Sequence, residues 1–504
     1  MPNLDYAVLE DRIHPIRKTL MQTVHRSQLL LLTAVVLCFA RGILAADATP
    51  STRPNVLFIA IDDLNHWVGH LGRNSQTRTP HIDRVSSMGV TFTRANCAAP
   101  VCNPSRAALM SGMRPGVTGV YDNGQDWKSV IGKDKTLTTQ FLNAGYNVFG
   151  AGKIYHSSVH RDGEWTEYFD KSGGTRLTLH SSAKNDGVGG IKFGPLANSD
   201  EDMPDYKVVS YGLEKLQQKH DKPFFMAIGI VKPHMPFSVP KKYFDMFPLD
   251  TVELPPHLAD DLDDVPAAGI KMPRPDGDHA QMLASGRWKE AVQAYLATIA
   301  FCDAQVGRLI DGLNASAYRD NTIVVLWGDH GWHLGEKSHW RKFALWEEAA
   351  RAPLIWIAPG LTKPGGVCER PVDFMTIYPT LCDLAGIPIP KHAEDPSIRP
   401  LLADPTAKWD QPAITTFHRN NHSFRSETWR YIRYANSGEE LYNHESDPYE
   451  WTNLASDKKF ASVKAEFAKW SPKTNVAELP RTQGSKKRSA NSKSAARKKE
   501  KNQP

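Results

Sequence analysis

Short apolar runs alternate with longer amphipathic stretches between residues 54 and 390. The runs are rich in β-branched and aromatic residues, which predicts strands at Val56–Ile61, Asn147–Phe149, Phe224–Val231, Ile323–Trp327 and Leu354–Ile357. In Leu283–Leu313, Val292, Leu296 and Ile299 recur at helical spacing, which predicts an amphipathic helix packed on the core. This alternation predicts an α/β fold with a largely parallel sheet covered by helices.

Two later regions depart from this alternation. Residues 157–205 are rich in Gly, Ser and Asp without periodicity, which predicts long surface loops able to shape a substrate pocket. Trp429–Tyr434 alternates like a strand, and a turn at Ser437-Gly438 leads into a second strand at Glu440. We therefore predict a catalytic domain over residues 49–410 and a small antiparallel α+β subdomain over residues 411–480.

The two ends of the chain differ from its body. The apolar run Leu29–Ala40 is too short to span a bilayer, and small residues at Ala46–Ala48 resemble a cleavage site. We predict a signal peptide and leader over residues 1–48, with Met21 as a possible true start, and hence a secreted or periplasmic protein with no stable membrane span. Residues 481–504 hold nine Lys and Arg against one acid, which predicts a basic disordered tail.

Composition narrows the class of protein further. With 41% hydrophobic and 23% charged residues, the 504-residue chain is not collagen-like, coiled-coil or largely disordered. The net charge of +6 comes from the ends and leaves an acidic body, which argues against a nucleic-acid partner. The five cysteines beyond the leader show no paired spacing typical of a disulfide framework or a zinc site.

Reactive side chains follow directly after four of the predicted strands. In open α/β sheets, ligands bind beyond the carboxyl ends of the strands, so parallel neighbours would bring these groups to one edge. Solvated loop residues are the alternative for each cluster alone, but all four clusters lie at strand ends. The side chains concerned are Asp62 and Asp63, Lys153 and His156, His234, and Asp329 and His330.

Three carboxylates at one edge repel one another unless a cation lies between them. Hard oxygen ligands suit Ca²⁺ or Mg²⁺. Imidazole is an uncommon ligand for calcium. The chemistry alone therefore allows three roles for His330: it could bind the metal, bind the substrate, or hold one of the metal ligands in place.

The segment Val101–Leu109 carries a second signal. Pro104 fits the first turn of a helix, which predicts that Cys102 lies just before a helix N-terminus, where free N–H groups favour an anion. Arg106, one turn along, adds a guanidinium group suited to sulfate or phosphate. At this point a buried structural cysteine remains an equal alternative.

Cys102-Asn103-Pro104-Ser105-Arg106 matches the C-x-P-S-R signature of the type I sulfatases. Residues 145–156 resemble the second signature of that family, although Val148 stands where threonine is usual. Residues 232–237 (KPHMPF), 329–332 and 336–342 are most similar to the iduronate-2-sulfatase branch. The resemblance spans roughly residues 54–455 and implies an alkaline phosphatase-like α/β fold and hydrolysis of sulfate esters.

The resemblance also implies a role for each reactive group. A formylglycine-generating enzyme would oxidise Cys102 to Cα-formylglycine before folding is complete, and the aldehyde hydrate would supply the nucleophilic hydroxyl. The implied metal is Ca²⁺ rather than Mg²⁺, with ligands Asp62, Asp63, Cys102, Asp329 and His330. For the remaining residues, Arg106, Lys153 and Lys342 would hold the sulfonyl oxygens, His234 or Lys342 would protonate the leaving group, and His156 would accept a proton in the second step.

The expected substrate is a sulfated sugar or glycosaminoglycan-like polysaccharide, and the resemblance suggests a uronate-2-sulfate. Two alternatives remain open. A phosphate or phosphonate ester hydrolase of the same superfamily would use the same strand ends. A catalytically silent glycan-binding protein would leave Cys102 unmodified and would show no turnover.

Overall fold

The computed structural model describes residues 53–156, 160–170, 175–184, 186–272 and 277–482. The predicted signal peptide lies outside the described residues, as does the predicted tail beyond Thr482. No helix within the described ranges is both long enough and apolar enough to cross a membrane.

The strands and helices follow the alternation expected from the sequence. The strands are β1 Asn55–Ile61, β2 Val90–Phe92, β3 Ala95–Asn96, β4 Asn147–Gly152, β5 Glu167–Phe169, β6 Gly187–Val188, β7 Ile191–Lys192, β8 Phe224–Ile230, β9 Thr322–Gly328, β10 His333–Leu334, β11 Trp340–Arg341, β12 Leu354–Ile357, β13 Gly366–Cys368, β14 Val372–Asp373, β15 Ala413–Thr416, β16 His422–Arg425, β17 Trp429–Arg433 and β18 Glu439–Asn443. The α-helices are Pro80–Ser87, Cys102–Ser111, Pro115–Thr118, Leu137–Asn143, Pro204–Gln217, Lys241–Phe244, Ala267–Ile270, Asp278–Ser285, Trp288–Asn314, Glu347–Ala350, Ile377–Leu384, Arg399–Ala403 and Ala461–Ala468.

Eight strands form the central sheet in the order β13-β2-β12-β9-β1-β8-β4-β5. The five strands β9, β1, β8, β4 and β5 are mutually parallel, whereas β12 runs antiparallel to both of its neighbours. The predicted largely parallel sheet is therefore confirmed. The four strands that precede the reactive side chains are consecutive neighbours in this sheet, in the order β9-β1-β8-β4.

Helices cover both faces of the sheet, which explains why its strands are apolar at nearly every position. In β1, Leu57, Ile59 and Ile61 pack into the core that contains the long helix Trp288–Asn314. The alternate residues Val56, Phe58 and Ala60 pack into a second core with the helices Cys102–Ser111 and Ile377–Leu384. Because β1 is buried on both faces, the residues that follow it are also buried.

Two details of the predicted helices are corrected by the structure. The single helix expected over Leu283–Leu313 is two helices, Asp278–Ser285 and Trp288–Asn314. The helix is interrupted at Gly286, whose left-handed φ of 65° ends the first of the two. Cys102 does not precede its helix but is the first residue of it, with Val101 in extended conformation as the cap.

The described residues of the irregular segment 157–205 are mainly loop, as expected, but β5 within it joins the edge of the central sheet beside β4. Its Tyr168 packs near the Trp165 ring and donates a hydrogen bond to the Gly152 carbonyl oxygen. Because β5 has only three residues, its alternation is too short to be recognised in the sequence.

A small antiparallel sheet in the order β15-β16-β17-β18 follows the catalytic core. The predicted strands at Trp429 and Glu440 are its β17 and β18, and Ser437 in the turn has a φ of 69°. Arg430 of β17 is fully buried and pairs with Glu347 and with Glu450. These ion pairs connect the small sheet to the helix Glu347–Ala350, which lies just after Lys342 in the chain.

Gly229 of β8 sets the spacing between β8 and β4. A Cβ atom at this position would lie 2.3 Å from the Lys153 carbonyl oxygen and 2.5 Å from the Lys153 nitrogen. We expect Gly229→Ala to lower the free energy of unfolding by about 3 kcal/mol, because backbone atoms cannot move aside as a flexible side chain can. Urea unfolding followed by tryptophan fluorescence measures this change.

Gly360→Ala is the matched control, since a Cβ there meets no atom within 4 Å and only the φ of 75° opposes it. In this control the free energy of unfolding should fall by about 1 kcal/mol. An equal loss in the two variants would contradict the steric account of Gly229.

Candidate active site

The ends of β9, β1, β8 and β4 meet at one buried edge, as the sequence predicted for parallel neighbours. The ladder continues past the strands, because the Asp62 nitrogen donates to Ile230 at 3.0 Å and the Asp329 nitrogen donates to Ile61 at 3.0 Å. The Lys153 nitrogen likewise donates to Gly229 at 3.0 Å. These main-chain bonds fix the positions of two carboxylates and an amine before any side-chain contact is made.

Arg106 lies between these strand ends with no exposed surface. Its Nε donates to Asp329 Oδ2 at 2.8 Å, and its Nη2 donates to Asp62 Oδ1 at 3.3 Å. Its Nη1 donates to the carbonyl oxygens of Lys153 and Ile154. Most of the guanidinium donors therefore hold the carboxylates and the end of β4.

Cys102, Asp63, His330 and Lys342 converge on one point. The Cys102 Sγ lies 3.3 Å from His330 Nε2 and 3.2 Å from Lys342 Nζ. Lys342 Nζ also donates to Asp63 Oδ1 at 2.7 Å. The sequence-predicted nucleophile position thus lies beside one of the predicted metal carboxylates and one of the predicted sulfate-binding cations.

The loop after β1 is held in a strained conformation. Asp63 has a φ of 58°, in the left-handed region that non-glycine residues rarely adopt. Its nitrogen donates to Asp329 Oδ1 at 2.9 Å, and its carbonyl oxygen accepts a bond from the Tyr295 hydroxyl at 2.8 Å. These contacts aim the Asp63 carboxylate at Cys102, and strain of this kind is common at functional sites.

The surrounding charges alter the ionisation of Cys102. Burial alone would raise the pKa of the thiol, but the ammonium groups of Lys153 and Lys342 lower that pKa well below its usual value. The carboxylate of Asp62 acts in the opposite direction. The position therefore favours a negatively charged or strongly polarised group.

The carboxylates differ in their response to burial. Burial raises the pKa of Asp62, but Lys153, His234 and Arg106 outweigh it and lower the pKa well below the usual value. For Asp329, burial dominates over Arg106 and His330, and its pKa is raised to about 7. Three buried carboxylates this close together form a site that favours a cation.

The donor set fits a divalent cation. Ligand atoms of Asp62, Cys102, Asp329 and His330 lie within 4.8 Å of one another, as do those of Asp62, Asp63, Cys102 and His234. Asp63 Oδ2 is buried and has no hydrogen-bond partner among the described residues. A buried carboxylate oxygen without a hydrogen-bond partner is the group that a hard cation such as Ca²⁺ would coordinate.

His330 is oriented as a metal ligand would be. Its Nδ1 lies 3.0 Å from the Gly331 carbonyl oxygen, which assigns the proton to Nδ1. Its Nε2 faces inward, 3.3 Å from Asp63 Oδ1 and 3.5 Å from Asp329 Oδ1. A backbone carbonyl that fixes the other ring nitrogen is the usual support of a ligating imidazole.

His234 lies at the open side of the site. Its Nε2 is 3.9 Å from Asp62 Oδ2 and 3.8 Å from Asp63 Oδ2, and 32% of its side chain is exposed, against 6% for Lys342. Its Nδ1 is 2.6 Å from the Met235 carbonyl oxygen. The exposed ring can therefore reach a bound substrate from the solvent side.

The loop that carries His234 is held by two residues whose roles the sequence did not reveal. The buried Lys232 donates to the carbonyl oxygens of His234, at 3.1 Å, and Pro236. The Asp205 carboxylate accepts bonds from the nitrogens of Val231 and Lys232 at 2.9 and 2.8 Å. Burial lowers the pKa of Lys232 to about 8, although Asp205 and Asp62 raise it.

His156 is the predicted site residue with the weakest contacts to the others. It follows β4 three residues after Lys153, which donates a hydrogen bond to Asp62 Oδ2. The His156 Nδ1 is buried and has no hydrogen-bond partner among the described residues. Its role as a proton acceptor therefore stays a prediction.

All five cysteines of the described region are buried and free, so the structure forms no disulfide there. Burial raises the pKa of Cys97, Cys302, Cys368 and Cys382. Cys102 is thus distinguished from the other four by its electrostatic surroundings, not by its burial.

Comparison with known proteins gives a consistent result. Residues 54–387 match the family model described as Sulfatase, and residues 335–475 match the model of the N-sulphoglucosamine sulphohydrolase C-terminal region. A sulfatase of Formosa agariphila is 40% identical over 452 residues, which cover 84% of this chain and 87% of that protein. The iduronate 2-sulfatase of Mus musculus is 29% identical over 412 residues, which cover 71% of this chain and 72% of that protein.

Solved structures share the fold at lower identity. The protein BT4656, in complex with its substrate D-glucosamine-2-N,6-O-disulfate, has a TM-score of 0.68 at 20% identity and covers 83% of this chain and 97% of its own. The phosphonate monoester hydrolase of Agrobacterium radiobacter has the same TM-score at 22% identity and covers 83% and 94%. The fold is thus the alkaline phosphatase-like one, and on the extent of the family match this chain belongs to the sulfatase family and is a sulfuric ester hydrolase.

Proposed function

We propose that this sulfatase is exported and hydrolyses sulfate esters on a sugar, with a uronate-2-sulfate in a glycosaminoglycan-like polysaccharide as the expected substrate. Cys102 is converted to Cα-formylglycine by a formylglycine-generating enzyme during maturation. The observation that carries this proposal is the convergence of Lys342, His330 and Asp63 on the Cys102 Sγ within 4 Å. The similarity to the iduronate 2-sulfatase of Mus musculus supports the choice of sugar.

Asp62, Asp63, Asp329 and His330 would hold a divalent cation together with the group at position 102. Such a cation, Ca²⁺ by the oxygen-rich donor set, acts when bound as a Lewis acid that polarises a sulfate oxygen and lowers the pKa of a hydroxyl. Arg106 serves this site by holding Asp62 and Asp329 in place, since most of its donors are directed at them and at two carbonyl oxygens.

Lys153 and Lys342 place positive charge on two sides of the reacting group. Lys153 contacts Asp62, and Lys342 contacts Asp63 and Cys102. Their ammonium groups therefore bind the sulfonyl oxygens as charge builds up on them during attack at sulfur. Charge arranged in advance in a buried site is usually the largest single contribution to catalysis.

We assign one proton transfer to His234 and the other to His156. The hydrated aldehyde at position 102 offers two hydroxyls, one to attack sulfur and one to expel sulfate afterwards by elimination. His234, which is open to solvent, donates a proton to the leaving sugar oxygen. His156 accepts the proton of the second hydroxyl, and its buried Nδ1 has no competing partner among the described residues.

Substrate class is tested with matched aryl esters. We expect kcat/KM for an aryl sulfate to exceed that for the corresponding aryl phosphate and phosphonate, and a 2-sulfated uronate disaccharide to be desulfated. Initial rates with each ester provide the measurement. A preference for the phosphate or phosphonate would overturn the proposal in favour of the alternative hydrolase.

Maturation is tested at position 102. Mass spectrometry of the tryptic peptide that contains Cys102 should show the aldehyde in active preparations. Cys102→Ala should abolish turnover while circular dichroism stays unchanged, because the side chain is small and the helix Cys102–Ser111 favours alanine. Full activity with an unmodified thiol would contradict the assignment.

The metal is tested by removal and by one ligand change. Chelation should lower both activity and the melting temperature, because an ion that binds only the folded state stabilises it. Ca²⁺ should restore both better than Mg²⁺. Asp329→Asn should reduce kcat/KM by about two orders of magnitude, whereas Asp320→Asn, in an exposed 3-10 helix, should have no effect. Activity that survives chelation and the Asp329 change would exclude the site.

The loop that carries His234 offers a separate test. Lys232→Met should lower kcat with little change in KM, because it removes the donor to the His234 and Pro236 carbonyl oxygens and loosens the His234 ring. We expect a loss of about 10-fold, the cost of one to two hydrogen bonds. Lys242→Met, an exposed change nearby, is the control. Equal kinetics in both variants would show that Lys232 does not position His234.

A further inference from the structure

A cavity of about 1080 Å³ lies between the helix Ala267–Ile270, the segment around Lys342 and the small C-terminal sheet. It is larger than the pockets that hold most small ligands and has room for more than one sugar ring. Phe343 and Phe417 contribute aromatic surface to its wall. None of the residues that the sequence predicted for the active site lines this cavity.

The cavity adjoins the active site on two sides. Phe343 lines it, and the ring of Phe343 lies 5.9 Å from Lys342 Nζ. Asp122 also lines it, and the Asp122 carbonyl oxygen accepts a bond from Asn103 Nδ2 at 2.9 Å, one residue beyond Cys102. The cavity wall and the active site are therefore built partly from the same two segments of the chain.

The charges in the wall favour an anion. Three cations line the cavity, and two of them are paired: Arg341 Nε lies 2.6 Å from Asp278 Oδ2, and Arg481 Nη2 lies 2.6 Å from Asp122 Oδ2. Lys271 is exposed and makes no ion pair with any described residue. Of the Lys and Arg residues described in the wall, Lys271 is therefore the one with no acidic partner.

The backbone on both sides of Lys342 has an unusual conformation. Arg341 and Phe343 have φ values of 79° and 76°, in the left-handed region. Both of these side chains line the cavity, while the Lys342 side chain between them contacts Cys102 and Asp63. Such conformations persist only where neighbouring groups hold them, as Asp278 holds Arg341.

We infer that this cavity is a subsite for a second anionic group of the substrate, apart from the sulfate that is cleaved. Lys271 and Arg341 bind the anionic oxygens, and Phe343 and Phe417 pack against the sugar rings. The group is a carboxylate or a further sulfate on a sulfated oligosaccharide. This inference rests on the proposed function, because it requires the sulfate to be bound at Cys102.

The test compares substrates of different length and charge. Lys271→Gln and Arg341→Gln are assayed with a small aryl sulfate, with a sulfated disaccharide bearing a uronate carboxylate, and with one bearing a second sulfate instead. For at least one disaccharide we expect kcat/KM to fall about 10- to 100-fold more than for the aryl sulfate, mainly through KM, the usual effect of removing a charge-assisted hydrogen bond. The disaccharide affected identifies the group bound.

Lys289→Gln, an exposed change outside the cavity, is the matched control and should leave all three activities unchanged. Lys271→Gln is the variant less liable to misfold, because Lys271 makes no side-chain hydrogen bond or ion pair with a described residue, whereas Arg341→Gln removes an ion pair beside Lys342. Equal losses on all three substrates in both variants, or no loss, would overturn the subsite. Failure of the proposed function is distinct: the unaltered enzyme would then cleave none of the sulfate esters.

Discussion

One buried guanidinium connects the ends of three strands of the central sheet. Arg106 contacts Asp329 after β9, Asp62 after β1 and two carbonyl oxygens after β4. Loss of one member of such a buried group leaves uncompensated charge, which commonly costs 3–5 kcal/mol. Arg106 therefore holds the two carboxylates close together, and the geometry of the site around them depends on this contact.

The sequence allowed the position of the site to be predicted, because it was encoded locally. Asp62 and Asp329 directly follow apolar runs that form strands. Because these strands are parallel neighbours, their carboxyl ends lie at the same edge of the sheet. The direction of Arg106 could not be predicted in this way. A guanidinium one helical turn after Cys102 fits an outward anion-binding role equally well. In the folded chain it contacts the carboxylates of Asp329 and Asp62 instead.

The parts that escaped prediction share a dependence on distant residues. The break at Gly286 divides a helix whose apolar periodicity continues on both sides of it, so the pattern alone did not reveal it. The support of the His234 loop by Asp205 and Lys232 joins segments 27 residues apart. The cavity wall is assembled from segments as distant as Asp122 and Arg481, whose pairing no local pattern indicates.

Complete burial of position 102 has a consequence for biosynthesis. The Cys102 side chain has no exposed surface in the folded chain, so a modifying enzyme cannot reach it there. On the proposed route, oxidation must therefore compete in time with collapse of the polypeptide. Molecules that fold before oxidation would keep an unmodified, inactive thiol. The specific activity of a preparation would therefore depend on the fraction of molecules modified in the producing cell as well as on the intrinsic rate of the enzyme.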